Sequence, residues 1–567
     1  MKHNFTPGTL DPVQEVSAMT RPQLPADLIL HGGPVLCMDP DRTRASAVAV
    51  KNGRIVAVGG SELLGLAGSA TRTIDLQGRT AMPGIIEGHV HAEWYGRDQL
   101  TLNFRHCKSK EELLGMLKAE VERTPRGEWV AGCAMPITLM KPGESNFTLQ
   151  DFDSVSPEHP VAIDCASTGH CMWINSRAMQ LLGVDKDHYP PEIWEGDGIV
   201  RDSCCAPTGK MEGHAWNWAL RAVKPYTFEW YLRALERAQH DLLKVGITSA
   251  HNAWEDPYIL NGWQTLERQG RLKVRTFVSL DIEKYGELFI KSGLRTGFGS
   301  EMLKLHQLKV ILNVPPRAAM LESYVPTPGD SGYHLYPPEW VSQKVLEAVQ
   351  SGWSVCAHST GDRDTRMLLD AFEGALEWYK GATGKDNTSL RLRLEHTMFV
   401  TPELIDRIAD LKIVINTRPC GRLSPADAPG GAHEKLLGHD RWSRSRCIKP
   451  FVDRGLPVNF GCDYPAPCGF IDPCASLFSA TGGAGEPWDV IDRYQALEAY
   501  TCNSAYGLGA EHDIGSIEVG KRADLVVFSE DPLTLPLERI WDRKTNRPVD
   551  LHADYTIVGG KIEYARA

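Results

Sequence analysis

The chain has 567 residues, 42% of them hydrophobic, and a formal charge of −11. That length holds one large domain with additions, or three ordinary ones, and it can bury a sizeable core. An acidic balance without a long run of like charge lacks the basic footprint that captures phosphate backbones, which excludes nucleic acid as an expected partner.

Residues 1–25 read as an amino-terminal extension with no apolar h-region. No later stretch approaches the roughly 18 uninterrupted apolar residues of a membrane span. Fourteen cysteines without a CxxC pair suit a reducing compartment. The expectation is a cytoplasmic protein that does not enter membranes.

The run AVAVKNGRIVAVG (47–59) alternates apolar and polar residues around Asn52-Gly53, a dipeptide suited to the positive φ angles of a tight hairpin. EGHVHAEWYG (87–96) then places His89 and His91 two apart, on the same side of a strand. Residues from about 100 to 240 mix turn-rich and helical sequence and read as a large insertion after this first strand. Beyond it, GITSAHNA (246–253), LKVILNV (308–314), WSVCAHSTGD (353–362), RLRLEHT (391–397), KIVINTRP (412–419) and LPVNFGCDYP (456–465) read as buried strands. TPELIDRIADL (401–411) reads as a connecting helix capped by Thr401.

DYTIVGGKIEYA (554–565) repeats the hairpin design around Gly559-Gly560. Two hairpins, each too small to be stable alone, would bury their apolar faces in one small β-sandwich built from both chain ends. The reading is therefore an α/β protein. Residues 26–80 with 508–567 form the sandwich, and residues 81–507 form a TIM-like (β/α)₈ barrel carrying the 100–240 insertion. An open doubly wound sheet is the alternative, but no GxGxxG follows a strand.

In a barrel the carboxyl ends of the strands form the active-site face. His89, His91, Lys309, His358, His396 and Asp463 stand at or near such ends. Taken singly, each could be a hydrogen-bonded core residue or a turn cap. In order along the chain, MPGIIEGHVH, LKVIL, AHSTGDRDTRMLLD, RLEHTMFVTPELIDRIADL, GCDYPA and GSIEVGKRADLVV resemble the amidohydrolase superfamily. Within it they are similar to the amidohydrolase-3 branch, which includes N-substituted formamide deformylases and YtcJ-like proteins. The resemblance spans roughly residues 26–567, and GEWVAGC, STGHCMWINSRAM and IVRDSCCAPTGKMEG extend it through the insertion.

The resemblance implies a divalent metal site, zinc first. His89 and His91 would hold the more buried ion, His358 and His396 a second, and Lys309, carboxylated on its amine, would bridge the two; a single ion is the alternative. Manganese, iron and cobalt also suit these ligands. Asp463 would be both a ligand and the acid/base that serves a metal-activated hydroxide. His170 and His251 resemble family positions close to substrate, with internal hydrogen bonding as the equal alternative.

The implied reaction is hydrolysis of a C–N bond in an amide, N-substituted formamide or cyclic amide. Decarboxylation, deamination or lactone hydrolysis at the same site, and a non-catalytic regulatory protein on an inherited barrel, are the alternatives. A homo-oligomer acting on a small molecule is expected. The chain departs from the branch at Glu87, at Asn313-Val314 and at NTRPCG, where Arg418 stands in place of glutamine and Gly421 in place of histidine. Arg317 and Arg418 would then lie near strand ends, where a guanidinium could bind a substrate carboxylate or pair within the protein. Trp94 and Trp173, with Trp216, Trp218 and Trp254 in neighbouring segments, suggest an aromatic-lined pocket and an apolar or aromatic substrate.

Overall fold

The computed structural model describes residues 25–135, 147–165, 171–193, 197–313, 318–465 and 469–566. Eight strands make one parallel sheet, hydrogen-bonded in chain order: β1 (Ile85–Val90), β2 (Ile247–Glu255), β3 (Arg275–Asp281), β4 (Leu303–Val310), β5 (Ser354–Ser359), β6 (Arg393–His396), β7 (Val414–Thr417) and β8 (Val458–Phe460). Nearly every residue in them is buried, because a parallel sheet is covered on both faces. The sheet's two ends meet. The Asp463 N–H, just past β8, donates to the His89 carbonyl on β1 at 2.9 Å. Glu87 Oε1 accepts from the backbone N–H groups of His89 (3.1 Å) and Cys462 (2.8 Å), one from each end. The result is the (β/α)₈ barrel.

Six of these strands overlap the apolar runs of the sequence, and β1 carries the His-x-His pair. β3, RTFVSLD, is the one that pattern reading missed, because Thr276 and Ser279 interrupt its apolar character although both are buried. The covering helices carry the expected start signals. Thr227 accepts from Trp230 N at the head of Phe228–Lys244, and Thr401 from Leu404 N at the head of Pro402–Asp410. Trp263 and Trp353 fill the space between helices and barrel. Cutting either to alanine should cost about 3 to 5 kcal/mol.

Both chain ends join a second, eight-stranded sheet. Its order is Lys561–Ala565, Ala553–Val558, Leu525–Phe528, Thr80–Pro83, Leu28–Leu36, Arg44–Lys51 and Arg54–Gly59, with Arg72–Asp75 pairing beside Leu28–Leu36. Asn52 (φ 50°), Gly53 (74°), Gly559 (55°) and Gly560 (75°) turn the two hairpins as their dipeptides predict. The hairpins lie at opposite ends of the strand order, yet a Cβ on Gly53 would sit 2.8 Å from the Gly559 carbonyl oxygen. The sheet therefore curls on itself, and its layers share one core that includes Leu30, Val50, Leu525 and Ile557.

The KRADLVV motif at the carboxyl end has a physical role here. Asp524 grips Arg275 at the start of β3 with both oxygens (2.5 and 3.0 Å) and also accepts from Gly559 N, tying the terminal sheet to the barrel. The insertion holds a third, six-stranded sheet from Leu102–Asn103 to Pro207–Glu212, with cores of its own. No helix among the described residues is long and apolar enough to cross a membrane.

Candidate metal centre

At the carboxyl ends of the barrel strands lies a pocket of about 420 Å³ lined by His89, His91, Lys309, His358, His396 and Asp463 together with Trp94, Trp216 and Trp254. The carboxylate of Asp463 sits at its centre. Oδ1 is 3.3 Å from His89 Nε2 and 3.5 Å from His91 Nε2, while Oδ2 is 3.2 Å from His396 Nδ1. The His358 and His396 rings lie 4.0 Å apart. His396 (φ 71°) and Asp463 (φ 57°) both adopt left-handed backbone conformations, unusual for residues with a Cβ, and these aim their side chains into the pocket.

One ligand atom from each of His89, His91 and Asp463 lies within 4.8 Å of the other two, the spacing that a shared ion needs. Burial, aided by Arg418, pushes His89 down to about 4 and also lowers His91 and His396. These imidazoles are thus neutral near pH 7, the form that binds metal. Lys309 is buried beside them, and its amine has no hydrogen-bond partner among the described residues. Burial lowers its pKa. A neutral imidazole and carboxylate donor set, with an orphaned amine in the same pocket, fits a divalent ion bridged through a modified lysine.

Behind this layer stand residues that the sequence reading passed over. Glu395 Oε2 lies 2.6 Å from His89 Nδ1, so the ring turns Nε2 toward the pocket. Arg393 Nε lies 2.7 Å from Glu395 Oε1, and its guanidinium also donates to the Gly88 carbonyl at 2.5 Å. Burial by itself would raise Glu395, but Arg393 and His89 hold it well below the carboxylate range. The available signal was the RLEH run itself, in which Glu395 immediately precedes a ligand. Glu87, by contrast, is pushed up to about 7 by burial.

Trp94 reaches the pocket as expected and stacks on His91 at 4.3 Å between centroids. Arg418 and Trp173 stand elsewhere than expected, and His251 takes the internal hydrogen-bonding role that was its alternative reading. Arg418 is fully buried rather than at the rim, with Nε 2.9 Å from Asp463 Oδ2, so it faces the centre's own carboxylate. His251 spends both ring nitrogens on the protein, at the Gly88 carbonyl (3.0 Å) and Ser279 Oγ (2.6 Å), and it does not line the pocket. Trp173 packs in the insertion's core near Phe147. His170 and Arg317 lie outside the described residues.

A family model described as the amidohydrolase family matches residues 72–564. The protein LONG AFTER FAR-RED 3 of Arabidopsis thaliana is 26% identical, covering 95% of this chain and 92% of its own length. The N-substituted formamide deformylase of Arthrobacter pascens is 25% identical over 95% of this chain and 98% of its own. An uncharacterized metal-dependent hydrolase from Pyrococcus furiosus superposes with a TM-score of 0.70 at 24% identity, over 89% of this chain and all of its own, which shows the shared fold. With the family match spanning the barrel and part of the terminal sheet, the chain belongs to the amidohydrolase family, in its amidohydrolase-3 branch.

Proposed function

We propose that this chain is a metal-dependent hydrolase of C–N bonds outside peptides, with N-substituted formamides and related small amides carrying an apolar or aromatic group as its substrate class. The observation that carries the reading is the convergence of His89, His91 and Asp463 around one pocket that also contains the Lys309 amine. The formamide deformylase relative supports the choice of bond.

His89, His91, His358, His396 and Asp463 would hold one or two divalent ions, with zinc fitting the imidazole and carboxylate set, and a carboxylated Lys309 would complete the shell. When bound, the ion supplies Lewis acidity toward a carbonyl and toward water. Arg418, His396 and His89 offset the cost of burial and hold Asp463 well below the usual carboxylate range. Asp463 therefore begins the cycle ionised. It accepts a proton from the attacking water and returns it to the leaving nitrogen, a role worth roughly 10² or more in turnover. Glu395 keeps a proton on His89 Nδ1, and Trp94, Trp216 and Trp254 exclude bulk water and receive the apolar part of the substrate.

Formate release from N-benzylformamide, measured alongside acetamide, lactam and lactone analogues, tests the reading. Hydrolysis of the formamide that falls about 10²-fold in Asp463→Asn is the expected result. A preference for the lactone, or an Asp463→Asn rate within about threefold of the parent, would overturn it.

A further inference from the structure

Beside the histidine pocket lies a second compartment of about 740 Å³, between the insertion and the barrel helices. Trp94 and Trp254 line both, standing as a common wall with ring centroids 6.2 Å apart. Charged residues line this second space, and their pairing is uneven. Each cation is already matched to an aspartate: Arg97 to Asp164 at 2.9 Å, Lys224 to Asp256 at 2.9 Å, and Arg221 to Asp281. Two carboxylates remain. Glu93, 7% exposed, and Glu255, 6% exposed, have no cation within ion-pair distance among the described residues, and the Glu93 carboxylate has no hydrogen-bond partner there either.

Unpaired buried carboxylates are costly unless something positive meets them. Burial, with Glu93 and Asp256 nearby, raises the Glu255 carboxyl well above the ordinary range, and burial raises Glu93 although Arg97 and Lys224 partly offset it, so each acid holds a proton until a cation takes its place. The walls between and around the two acids are aromatic, supplied by Trp94, Trp254 and Tyr231. Arg221 already covers Trp254 at 4.7 Å, so this wall demonstrably holds a cation. Aromatic faces with two carboxylates suit an organic ammonium, whereas a bare metal ion would gain nothing from the rings.

We propose that this compartment binds a protonated amine, so that the preferred substrates carry an ammonium group on the side of the molecule away from the bond being cleaved. Glu93 and Glu255 are its specificity-determining residues, with Trp94 setting how far the amine stands from the histidines. This rests on reading the histidine pocket as the reaction centre. It also reverses the expectation of an anionic substrate, because every described arginine near either pocket already faces a carboxylate.

The test is calorimetric titration of the full-length protein with benzylammonium, benzyl alcohol and benzoate, probes of similar size and different charge. The expected result is benzylammonium binding at least about tenfold tighter than benzyl alcohol, with benzoate weakest. Glu93→Gln and Glu255→Gln should each remove most of that difference while leaving benzyl alcohol binding unchanged. Equal binding of the three probes by the wild-type protein would overturn the proposal without reference to any variant. So would an ammonium preference that both variants retain, since the cation would then sit elsewhere. Turnover is not involved, so intact ammonium binding with no formamide hydrolysis would overturn the proposed reaction alone.

Discussion

Arg418 Nε lies 2.9 Å from Asp463 Oδ2, and the guanidinium is fully buried. The charge that lowers Asp463 is thus built into the wall of the site. NH1 and NH2 of Arg418 have no hydrogen-bond partner among the described residues, so the head group is held mainly by Asp463, with Glu395 attracting it second. Arg418→Gln should destabilise the protein by roughly 3 kcal/mol, the scale for breaking a buried pair, and show as a lower melting temperature. The ratio of kcat/KM for matched neutral and anionic substrates should stay within about twofold, because the guanidinium faces the protein. A selective loss of the anionic substrate would instead place Arg418 in the substrate pocket.

The second prediction concerns His89. Glu395 fixes its ring from behind at 2.6 Å, and Arg393 fixes Glu395 in turn. Glu395→Gln keeps the size and loses the charge. Metal affinity, measured by competition with a chromogenic chelator, should fall about 10- to 100-fold, and the chelated protein should also melt lower because Arg393 loses its buried partner. Unchanged affinity would mean that His89 is oriented by packing alone.

For Lys309, the prediction follows from an amine that is buried, unpartnered and lowered in pKa. The neutral amine is the form that adds carbon dioxide to become a carbamate. Intact-protein mass spectrometry under native conditions should show about 44 Da of added mass that disappears in Lys309→Ala, assuming the mass of one carbon dioxide for a group that reverses on unfolding. Lys309→Ala should lose metal and activity, with partial rescue by a short carboxylic acid. Full activity in that variant would remove the lysine from the centre.

Asp472 gives a pH signature away from the histidines. It caps the helix Pro473–Phe478 by accepting from Cys474 N, and burial pushes its carboxyl from 3.8 up to about 6. A raised acid binds its proton more tightly in the folded state. Its contribution is therefore full below pH 3.8 and is lost as pH rises through about 6, an effect of about 3 kcal/mol. Asp472→Asn keeps a capping oxygen without the charge. The variant should melt higher than wild type at pH 8, with the gap narrowing below about pH 6 and closing as pH falls past 3.8. A gap independent of pH would contradict the assignment.

The ligand positions were legible because barrel chemistry sits at strand ends, where a lone polar residue closes an apolar run. His358, His396 and Asp463 follow that rule, His89, His91 and Lys309 stand within a residue of their strands' ends, and all six meet in one pocket. The misplaced residues fail for separable reasons. Arg418 directly follows β7, but its side chain is buried against Asp463, and sequence position does not say where a guanidinium ends. His251 looked available because its partner Ser279 lies on β3, the strand whose buried polar residues hid it. Glu395 was hidden by strand alternation, which would set it on the opposite face from His396; the left-handed backbone at His396 lets both serve the site. Glu93 and Glu255 carry no motif at all, and only the packing of the insertion against the barrel brings them into one compartment.

The account turns on a metal held by the histidines and Asp463, and metal reconstitution tests that most directly. Protein stripped with a chelator and titrated with zinc should be inactive at first and recover formamide hydrolysis at about one to two equivalents. His89→Ala/His91→Ala, folded by its melting profile, should bind no ion tightly and stay inactive. Hydrolysis that survives complete metal removal, or wild-type metal content and rate in the double variant, would contradict the central claim.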